Sequence, residues 1–200
     1  MIAELAKNNK RVLAYFDMHA HSRKKGIFMY GPHYPLHNDK YYKMRVIPKI
    51  LSEHAEAFRY YSCKFRNEKS KRKAARLVIW KEFNIMNSFT IEASFYGWVK
   101  DDRTSHSFNT SHLNTVGEQL GITLHEYISL ITEEEREKED RREQRKRARL
   151  AAKQAKKNSN GSQQASGRLN LTAPKPKISV SKTKIKRTMK EIIESIKDDT

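Results

Sequence analysis

The sequence predicts an α/β fold with a mixed central sheet flanked by helices. Short apolar runs, each the length of one strand and rich in β-branched or aromatic residues, occur in the first 100 residues. Helical patterns lie between and after these runs. Strands that alternate with helices favour a sheet covered on both faces, and a chain of 200 residues is long enough for one such core.

Four runs are predicted as strands. In chain order they are Arg11–His19, Phe58–Phe65, Ala75–Phe83 and Ser88–Phe95. The first run continues into the polar residues DMHAH. Because the ends of strands are where α/β sheets commonly hold their sites, this end is a candidate functional position.

Helices are predicted beside these strands and again near the C-terminus. VIPKILSEHAEAF predicts a helix that starts near Pro48, and a second helix is expected to begin at a cap at Asn109 or Thr110. RTMKEIIESIKDD predicts a short amphipathic helix, which is typical of a weak terminal helix or of a peptide that docks on a partner. Its apolar face would consist of Met189, Ile192, Ile193 and Ile196.

Composition divides the chain into four segments. Residues 1–131 have the mixed composition of a packed domain. Residues 132–157 predict a charged, solvent-exposed helix whose acidic residues precede its basic ones, the order that the helix dipole favours. Residues 158–187 predict a disordered basic linker, and residues 188–200 hold the short helix.

The net charge of +18 indicates affinity for polyanions, which include acidic protein tails as well as nucleic acids. No RNA-recognition, zinc-finger or helix-turn-helix pattern occurs, and the basic tail lacks interleaved aromatic residues for base stacking. The sequence therefore argues against a nucleic-acid partner, although charge alone leaves that alternative open.

The location of the protein is expected to be cytoplasmic. A single cysteine, Cys63, cannot form an internal disulfide and provides no thiolate cluster for zinc. No apolar stretch approaches the roughly 18 to 20 residues that span a bilayer, and Met1 to Lys10 lacks a secretory signal, so no membrane partner is expected. Any metal would be bound by histidine and carboxylate side chains.

Three residues, His19, His21 and Glu92, are candidates for chemical roles. His19 and His21 would share one face of an extended chain, but two histidines are weak evidence because a catalytic zinc needs three protein ligands. Glu92 is flanked by apolar residues in a predicted strand, where a carboxylate is costly unless it is paired or near a metal. The alternatives are two ordinary polar histidines at a sheet edge, and a structural ion pair of Glu92 with Arg76 or Lys81.

Several long segments, taken together and in order, resemble a known family. The resemblance is carried by FDMHAHSRKKGIFMYG, PKILSEHAEAF, CKFRNEKSKRKAARLVIWKEFNIMNSFTIEASF and FNTSHLNTVGEQL. From about Val12 to Ile131 the chain resembles the C-terminal half of the catalytic domain of cytosolic carboxypeptidases, zinc peptidases that trim glutamates from tubulin and other acidic tails. The resemblance implies a partial zinc-carboxypeptidase-like fold, one zinc ion, glutamate-rich partners such as tubulin tails, and a cytoplasmic location at microtubules or cilia.

The resemblance also implies roles for individual residues. His19 matches a zinc ligand of the family, and Glu92 matches the catalytic glutamate that acts first as a general base and then as a general acid. Arg76 is a candidate for binding a substrate carboxylate, for which a guanidinium fork is well suited. The side chains expected to line the substrate cleft are His21, Ser22, Arg23 and Lys24.

The chain departs from the family pattern at several points. Ala20 stands where the family usually has Gly, and Ala74 stands where Thr is usual. The family carries a His-x-x-Glu pair of zinc ligands and an Asn-Arg pair upstream of the histidine strand. None of the eight histidines here is followed three residues later by Glu, and Asn-Arg does not occur. The sequence therefore holds one of the three zinc ligands and is not expected to be active alone.

Three explanations account for the missing ligands. The first is that the sequence is a fragment of a full cytosolic carboxypeptidase, whose function is then the right description. The second is a short protein that binds acidic tubulin tails through a basic surface without catalysis. The third is half of an enzyme that a separate chain with His-x-x-Glu completes.

Overall fold

The computed structural model describes residues 2–8, 10–100, 102–159 and 187–199. The chain forms two compact units. The first lies within Met1–Ile128 and Arg187–Thr200, and the second within Ser129–Lys186. The linker predicted at residues 158–187 falls almost entirely outside the described residues, so it stays a prediction.

A four-stranded mixed sheet forms the centre of the first unit. Its strands are β1 (Ala14–His21), β2 (Ile27–Gly31), β3 (Lys64–Phe65) and β4 (Asn87–Ser94), in the order β1-β4-β2-β3. Strand β4 is parallel to β1 and antiparallel to β2, and β2 is parallel to β3. This mixed sheet with its surrounding helices confirms the predicted fold class.

The two faces of the central strand β4 differ in chemistry. Phe89 and Ile91 are buried on one face, where Phe89 stacks on Phe16 of β1 with ring centroids 5.8 Å apart. The other face is also buried but polar, and it carries Ser88, Thr90, Glu92 and Ser94. The apolar face therefore belongs to the core. The polar face holds the side chains that can bind ligands or transfer protons.

Helix α4 (Ala75–Phe83) covers the polar face. Ser88 Oγ donates a hydrogen bond of 2.7 Å to the carbonyl oxygen of Arg76 in the first turn of α4. The sequence predicts a strand over Ala75–Phe83, and that prediction is wrong. Asn84 ends the helix in the left-handed conformation with φ 52°, which is typical of the residue after a helix.

The strand predicted over Phe58–Phe65 is also mostly wrong. The amide of Ile27 donates to the carbonyl of Ala57 at 2.8 Å, and the amide of Arg59 donates back to Ile27 at 2.6 Å. A single 3-10 turn, Tyr60–Ser62, follows before the two residues of β3. The segment therefore contacts the edge of β2 at two points and leaves it in between.

The other two strand predictions are confirmed with shifted ends. The predicted run Arg11–His19 corresponds to β1, and Ser88–Phe95 corresponds to β4. Strand β2 is not among the predicted strands, although its residues IFMYG have the composition of a strand.

Two predicted helices are present, and both begin in the first unit. Helix α3 (Val46–His54) contains Pro48 in its first turn. Helix α5 (Thr110–Ser159) begins at the predicted cap, where Asn109 Oδ1 accepts a hydrogen bond of 2.9 Å from the amide of His112. The remaining short elements are α1 (Ile2–Lys7), α2 (Lys40–Lys43), β5 (Trp98–Val99) and β6 (Ser105–His106). None of the helices among the described residues has the length and apolar character needed to cross a membrane.

The predicted C-terminal helix is present as α6 (Met189–Asp198), and it packs on α2 and α3 of its own chain. A capping box joins Thr188 to Glu191 at its start. Its buried apolar side chains are Met189, Ile192 and Ile196. This helix therefore docks within the first unit.

Ion pairs hold both ends of α6. At its start, Arg187 pairs with Glu53 of α3 and with Glu126 of α5, the latter at 3.3 Å. At its end, Asp199 accepts a hydrogen bond of 2.6 Å from Lys49 Nζ. The apolar contact in the middle of the helix is thus flanked by complementary charges.

Candidate active site

Polar side chains of neighbouring strands meet on the sheet face that α4 covers. The register places His19 of β1 opposite Glu92 of β4, and Glu92 opposite Phe28 of β2. Residues paired across adjacent strands point to the same face. The two residues for which the family resemblance implies catalytic roles therefore lie side by side.

A second row of residues crosses the sheet next to the first. Asp17 of β1 lies opposite Thr90 of β4, Thr90 lies opposite Tyr30 of β2, and Tyr30 lies opposite Lys64 of β3. The row thus changes from an acidic side chain at the β1 edge to a basic one at the β3 edge.

The ring of His19 is held by Asp17. The distance from His19 Nε2 to Asp17 Oδ1 is 3.0 Å, and the His19 side chain is 52% exposed. A carboxylate on one ring nitrogen orients a histidine and leaves the other nitrogen available, which is the usual arrangement around a metal-binding histidine. His19 therefore has the setting of a metal ligand.

Glu92 is nine-tenths buried and lies next to His21. Glu92 Oε2 is 3.7 Å from His21 Nδ1, and the His21 ring contacts Phe28 edge-on with centroids 5.0 Å apart. His21 Nε2 is buried and has no hydrogen-bond partner in the described part of the chain. The pair therefore keeps hydrogen-bonding capacity beside a buried carboxylate.

The predicted alternative for Glu92, a structural ion pair with Arg76 or Lys81, is not what the structure shows. Within the described ranges, the ion-pair partner of Glu92 is His21. Lys81 is exposed on α4. Arg76 and Glu92 interact only through their charges at longer range.

Arg76 lies over the same face and is 9% exposed. One of its terminal nitrogens donates to Thr90 Oγ1 at 3.4 Å, and its guanidinium carbon is 5.6 Å from the centre of the Tyr30 ring. Arg76 Nε is buried without a hydrogen-bond partner among the described residues. Burial lowers the pKa of Arg76, and the charges of Glu68 and Glu92 oppose that shift. The guanidinium stays charged at neutral pH and can donate hydrogen bonds to an anion.

Of the predicted cleft residues, His21 ends β1, and Ser22, Arg23 and Lys24 lie in the turn between β1 and β2. Lys24 Nζ donates to the carbonyl of Ser62 at 3.2 Å and lies 4.8 Å from the centre of the Phe28 ring. Arg23 and Ser22 are exposed on the same turn. Lys24 is thus directed towards the site face, whereas Arg23 faces solvent.

The described residues do not form a complete metal site. They contain no group of three His, Cys, Asp or Glu side chains close enough together to hold a metal ion. Burial raises the pKa of Cys63 to about 12, partly offset by the amide of Met29, so this thiol is protonated at neutral pH and is a poor ligand. Because a catalytic zinc needs three protein ligands, this donor set alone does not fit one.

Several known proteins are similar in sequence to part of this chain. The chain is 37% identical to cytosolic carboxypeptidase 2 of Xenopus tropicalis over 119 residues, and 37% identical to cytosolic carboxypeptidase 3 of Bos taurus over 123 residues. It is 35% identical to cytosolic carboxypeptidase 1 of Gallus gallus over 138 residues. The chain resembles part of a cytosolic carboxypeptidase. The resemblance inferred from the motifs is thereby confirmed over 59% to 62% of the chain.

The chain spans only 11% to 12% of the length of these cytosolic carboxypeptidases. No family model matches the chain. Among solved structures, a metallo-carboxypeptidase from Burkholderia cenocepacia aligns with a TM-score of 0.48 at 15% identity, covering 64% of this chain and 34% of that one. Since the matched part is a small share of the relatives, their activity does not follow from the likeness.

Sequence reasoning missed several residues of this face. Asp17, Thr90, Tyr30 and Lys64 are not among the site residues predicted from the sequence, although Asp17 belongs to the DMHAH strand end. A signal for two of them was present, because Asp17 and Thr90 precede His19 and Glu92 by two positions in their strands and so share their face. Tyr30 and Lys64 depend on pairing between distant segments and carried no comparable signal.

Proposed function

We propose that the chain is part of a zinc-dependent metallocarboxypeptidase of the cytosolic type, which removes glutamates from tubulin or other acidic protein tails. The observation that carries the proposal is the pairing of His19 with Glu92 on one sheet face beneath Arg76. Such an enzyme needs a metal ligand, an acid–base carboxylate and a cation for the substrate carboxylate. These three side chains supply one of each.

Within this proposal, His19 is one zinc ligand and Asp17 orients its ring. Glu92 acts as the general base and then as the general acid. Its buried position next to His21 suits proton transfer, because a carboxylate shielded from water interacts more strongly with nearby groups. The two remaining zinc ligands come from another part of a longer protein or from a second chain.

Arg76 binds a carboxylate of the substrate. Its guanidinium is buried yet charged, and Nε has no hydrogen-bond partner among the described residues. A planar fork of donors fits a carboxylate in two-point contact, which favours glutamate at the end of the bound chain. Within this proposal His21 and Lys24, which lie against the Phe28 ring, are the other residues of this face that contact the substrate, whereas Arg23 faces solvent. We expect the protein to act in the cytoplasm, at microtubules or cilia, where acidic tubulin tails are found.

A second candidate function is the binding of acidic tails without hydrolysis. The specific observation in its favour is that the described residues hold no complete group of metal ligands. The net charge of +18 would serve such a role equally well.

The test uses the protein purified from its own cells with an antibody to NSNGSQQASGRLN, so that any further chain or partner is retained. Its mass is compared with 23.5 kDa, its zinc content is measured, and the release of glutamate from a peptide ending in several glutamates is followed. The same measurements are made with Glu92→Gln introduced into the gene, and with Glu118→Gln, an exposed glutamate on α5, as the control.

We expect Glu92→Gln to reduce glutamate release by about 10² to 10⁴-fold while zinc remains bound, since an acid–base residue typically contributes that much. Glu118→Gln should leave the rate unchanged. Full activity in Glu92→Gln would remove Glu92 from the mechanism. A purified protein with neither zinc nor hydrolysis, which still binds the peptide, would favour the second candidate.

A further inference from the structure

A run of cationic residues borders the polar face of the sheet, the face that α4 covers. The segment from Lys64 to Lys73, KFRNEKSKRK, contains six lysine or arginine residues and a single acidic residue. All six cations are exposed. In the described ranges, none of them forms an ion pair with a carboxylate. A run with six exposed positive charges and one negative charge attracts anions.

The register places this run next to the candidate site. Lys64 lies opposite Tyr30, which in turn lies opposite Thr90, the residue that Arg76 contacts. The run then continues to Lys73, and α4, which carries Arg76 in its first turn, begins at Ala75. Both ends of the run are therefore connected to residues of the site.

The backbone of the run is held by hydrogen bonds. The amide of His33 donates to Asn67 Oδ1 at 2.9 Å. The amide of Lys71 donates to the carbonyl of Glu68 at 3.0 Å, and the amide of Ala74 donates to that of Lys71 at 2.9 Å. Two consecutive turns thus present the cations on an ordered backbone, which reduces the entropy lost when a ligand binds.

Lys24 adds a further cation from the neighbouring turn. Its Nζ lies over the Phe28 ring, on the site face. Burial lowers the pKa of Lys24, the charge of Lys64 lowers it further, and Cys63 opposes the shift. Lys24 and Lys64 are therefore close enough to repel each other, and a bound anion would relieve that repulsion.

We propose that the cationic surface formed by Lys64, Arg66, Lys69, Lys71, Arg72 and Lys73 binds the acidic side chains of a peptide whose terminal carboxylate is held at Arg76. The inference rests on the proposed function in one respect, the acidic nature of the ligand, and it does not require hydrolysis. An extended peptide presents alternate side chains roughly 7 Å apart on one side. A run of exposed cations suits such a chain better than a single charged pocket does.

The experiment measures binding of a fluorescein-labelled peptide of ten glutamates to the full chain by fluorescence anisotropy, at low and at physiological salt. The test variant combines Lys69→Gln, Lys71→Gln and Lys73→Gln. The matched control combines Arg142→Gln, Arg145→Gln and Arg149→Gln, which removes the same charge from exposed positions of α5. Circular dichroism confirms that both variants are folded, and Lys64→Gln provides an independent single change.

We expect the test variant to weaken binding roughly tenfold at low salt, the control to change it less than twofold, and Lys64→Gln to weaken it in the same direction as the test variant. The salt dependence of binding should also decrease in the test variant. These results would support peptide binding by the cationic surface even if the purified protein releases no glutamate. Failure of the proposed function is therefore a separate outcome.

Equal weakening in the test and control variants would overturn the proposal, because it would indicate an effect of net charge. Unchanged affinity in the test variant would overturn it as well. A single-stranded oligothymidylate that binds as tightly as the glutamate peptide, and loses as much affinity in the test variant, would show a general polyanion surface instead of one for acidic peptides.

Discussion

His19 on β1 and Glu92 on β4 occupy the same cross-strand position of two parallel strands. Glu92 is nine-tenths buried, whereas half of the His19 side chain is exposed. Within the described residues β1 lies at one edge of the four-stranded sheet. His19 therefore lies beside a buried carboxylate and can also contact groups outside this sheet. In the proposed enzyme, the two missing zinc ligands would approach His19 from that open edge.

The contact between Asp17 and His19 predicts an effect on metal affinity. If the proposed zinc enzyme is purified with zinc bound, Asp17→Asn should weaken zinc binding about 10- to 100-fold, because the carboxylate that orients His19 and raises its basicity is lost. Competition with a chelator measures the change. Asp39→Asn, an exposed aspartate before α2, is the control and should have no effect. Equal zinc affinity in both variants would show that Asp17 does not support a ligand.

The buried position of Arg76 predicts a specific loss of peptide binding. Arg76→Ala should weaken the binding of a glutamate-ended peptide by about tenfold or more, since a hydrogen bond to a charged group contributes about 1.5 to 3 kcal/mol. Arg76→Lys should recover only part of this, because lysine lacks the planar fork. Lys184→Ala, which removes a charge from the basic tail, is the comparison in the same titration. Equal small losses for Arg76→Ala and Lys184→Ala would indicate a diffuse charge effect.

The docked helix α6 predicts an unequal response of two isoleucines. Ile196→Ala should lower the free energy of unfolding by about 2 to 4 kcal/mol, because the side chain is fully buried. Ile193→Ala, at a partly exposed position of the same helix, should cost under about 1 kcal/mol. Urea denaturation gives both values, and hydrogen exchange of α6 amides shows whether the helix separates before the rest unfolds. Equal costs would mean that α6 does not dock through Ile196 in solution.

The pair of Lys49 and Asp199 predicts a pH dependence for the same helix. The hydrogen bond from Lys49 lowers the pKa of Asp199 below its ordinary value of 3.8, against a smaller opposing effect of burial. A carboxylate with a lowered pKa in the folded state contributes stability above its unfolded pKa, and this contribution is lost as the pH falls through the folded pKa. Asp199→Asn should therefore lower the melting temperature at pH 7, and the difference from the unmodified protein should shrink once the pH falls below 3.8.

The neighbouring carboxylate provides the control for that measurement. Asp198→Asn removes the same charge from an exposed position of α6 and should change the melting temperature less at pH 7. A difference between Asp199→Asn and the unmodified protein that persists at pH 2 would contradict the assigned role of the Asp199 carboxylate.

Part of the fold was predictable because it depends on local patterns. Strands β1 and β4 follow from their apolar, β-branched composition, and the start of α5 follows from the Asn109 cap. The helix over Ala75–Phe83 was mistaken for a strand because a short apolar run has no periodicity that separates the two. Asn84 was the available signal, since asparagine tolerates the left-handed conformation that follows a helix.

The sequence by itself determined which side chains can perform the chemistry and which of them share one face of a strand. His19 and His21 share a face, and Glu92 interrupts an apolar strand, whatever surrounds them. The tertiary structure alone decided that β4 lies between β1 and β2, that Glu92 is paired with His19, and that α4 brings Arg76 onto Thr90 of the same sheet face. The physical reason is that strand order, register and helix docking depend on burial and backbone pairing between distant segments, which no local pattern contains.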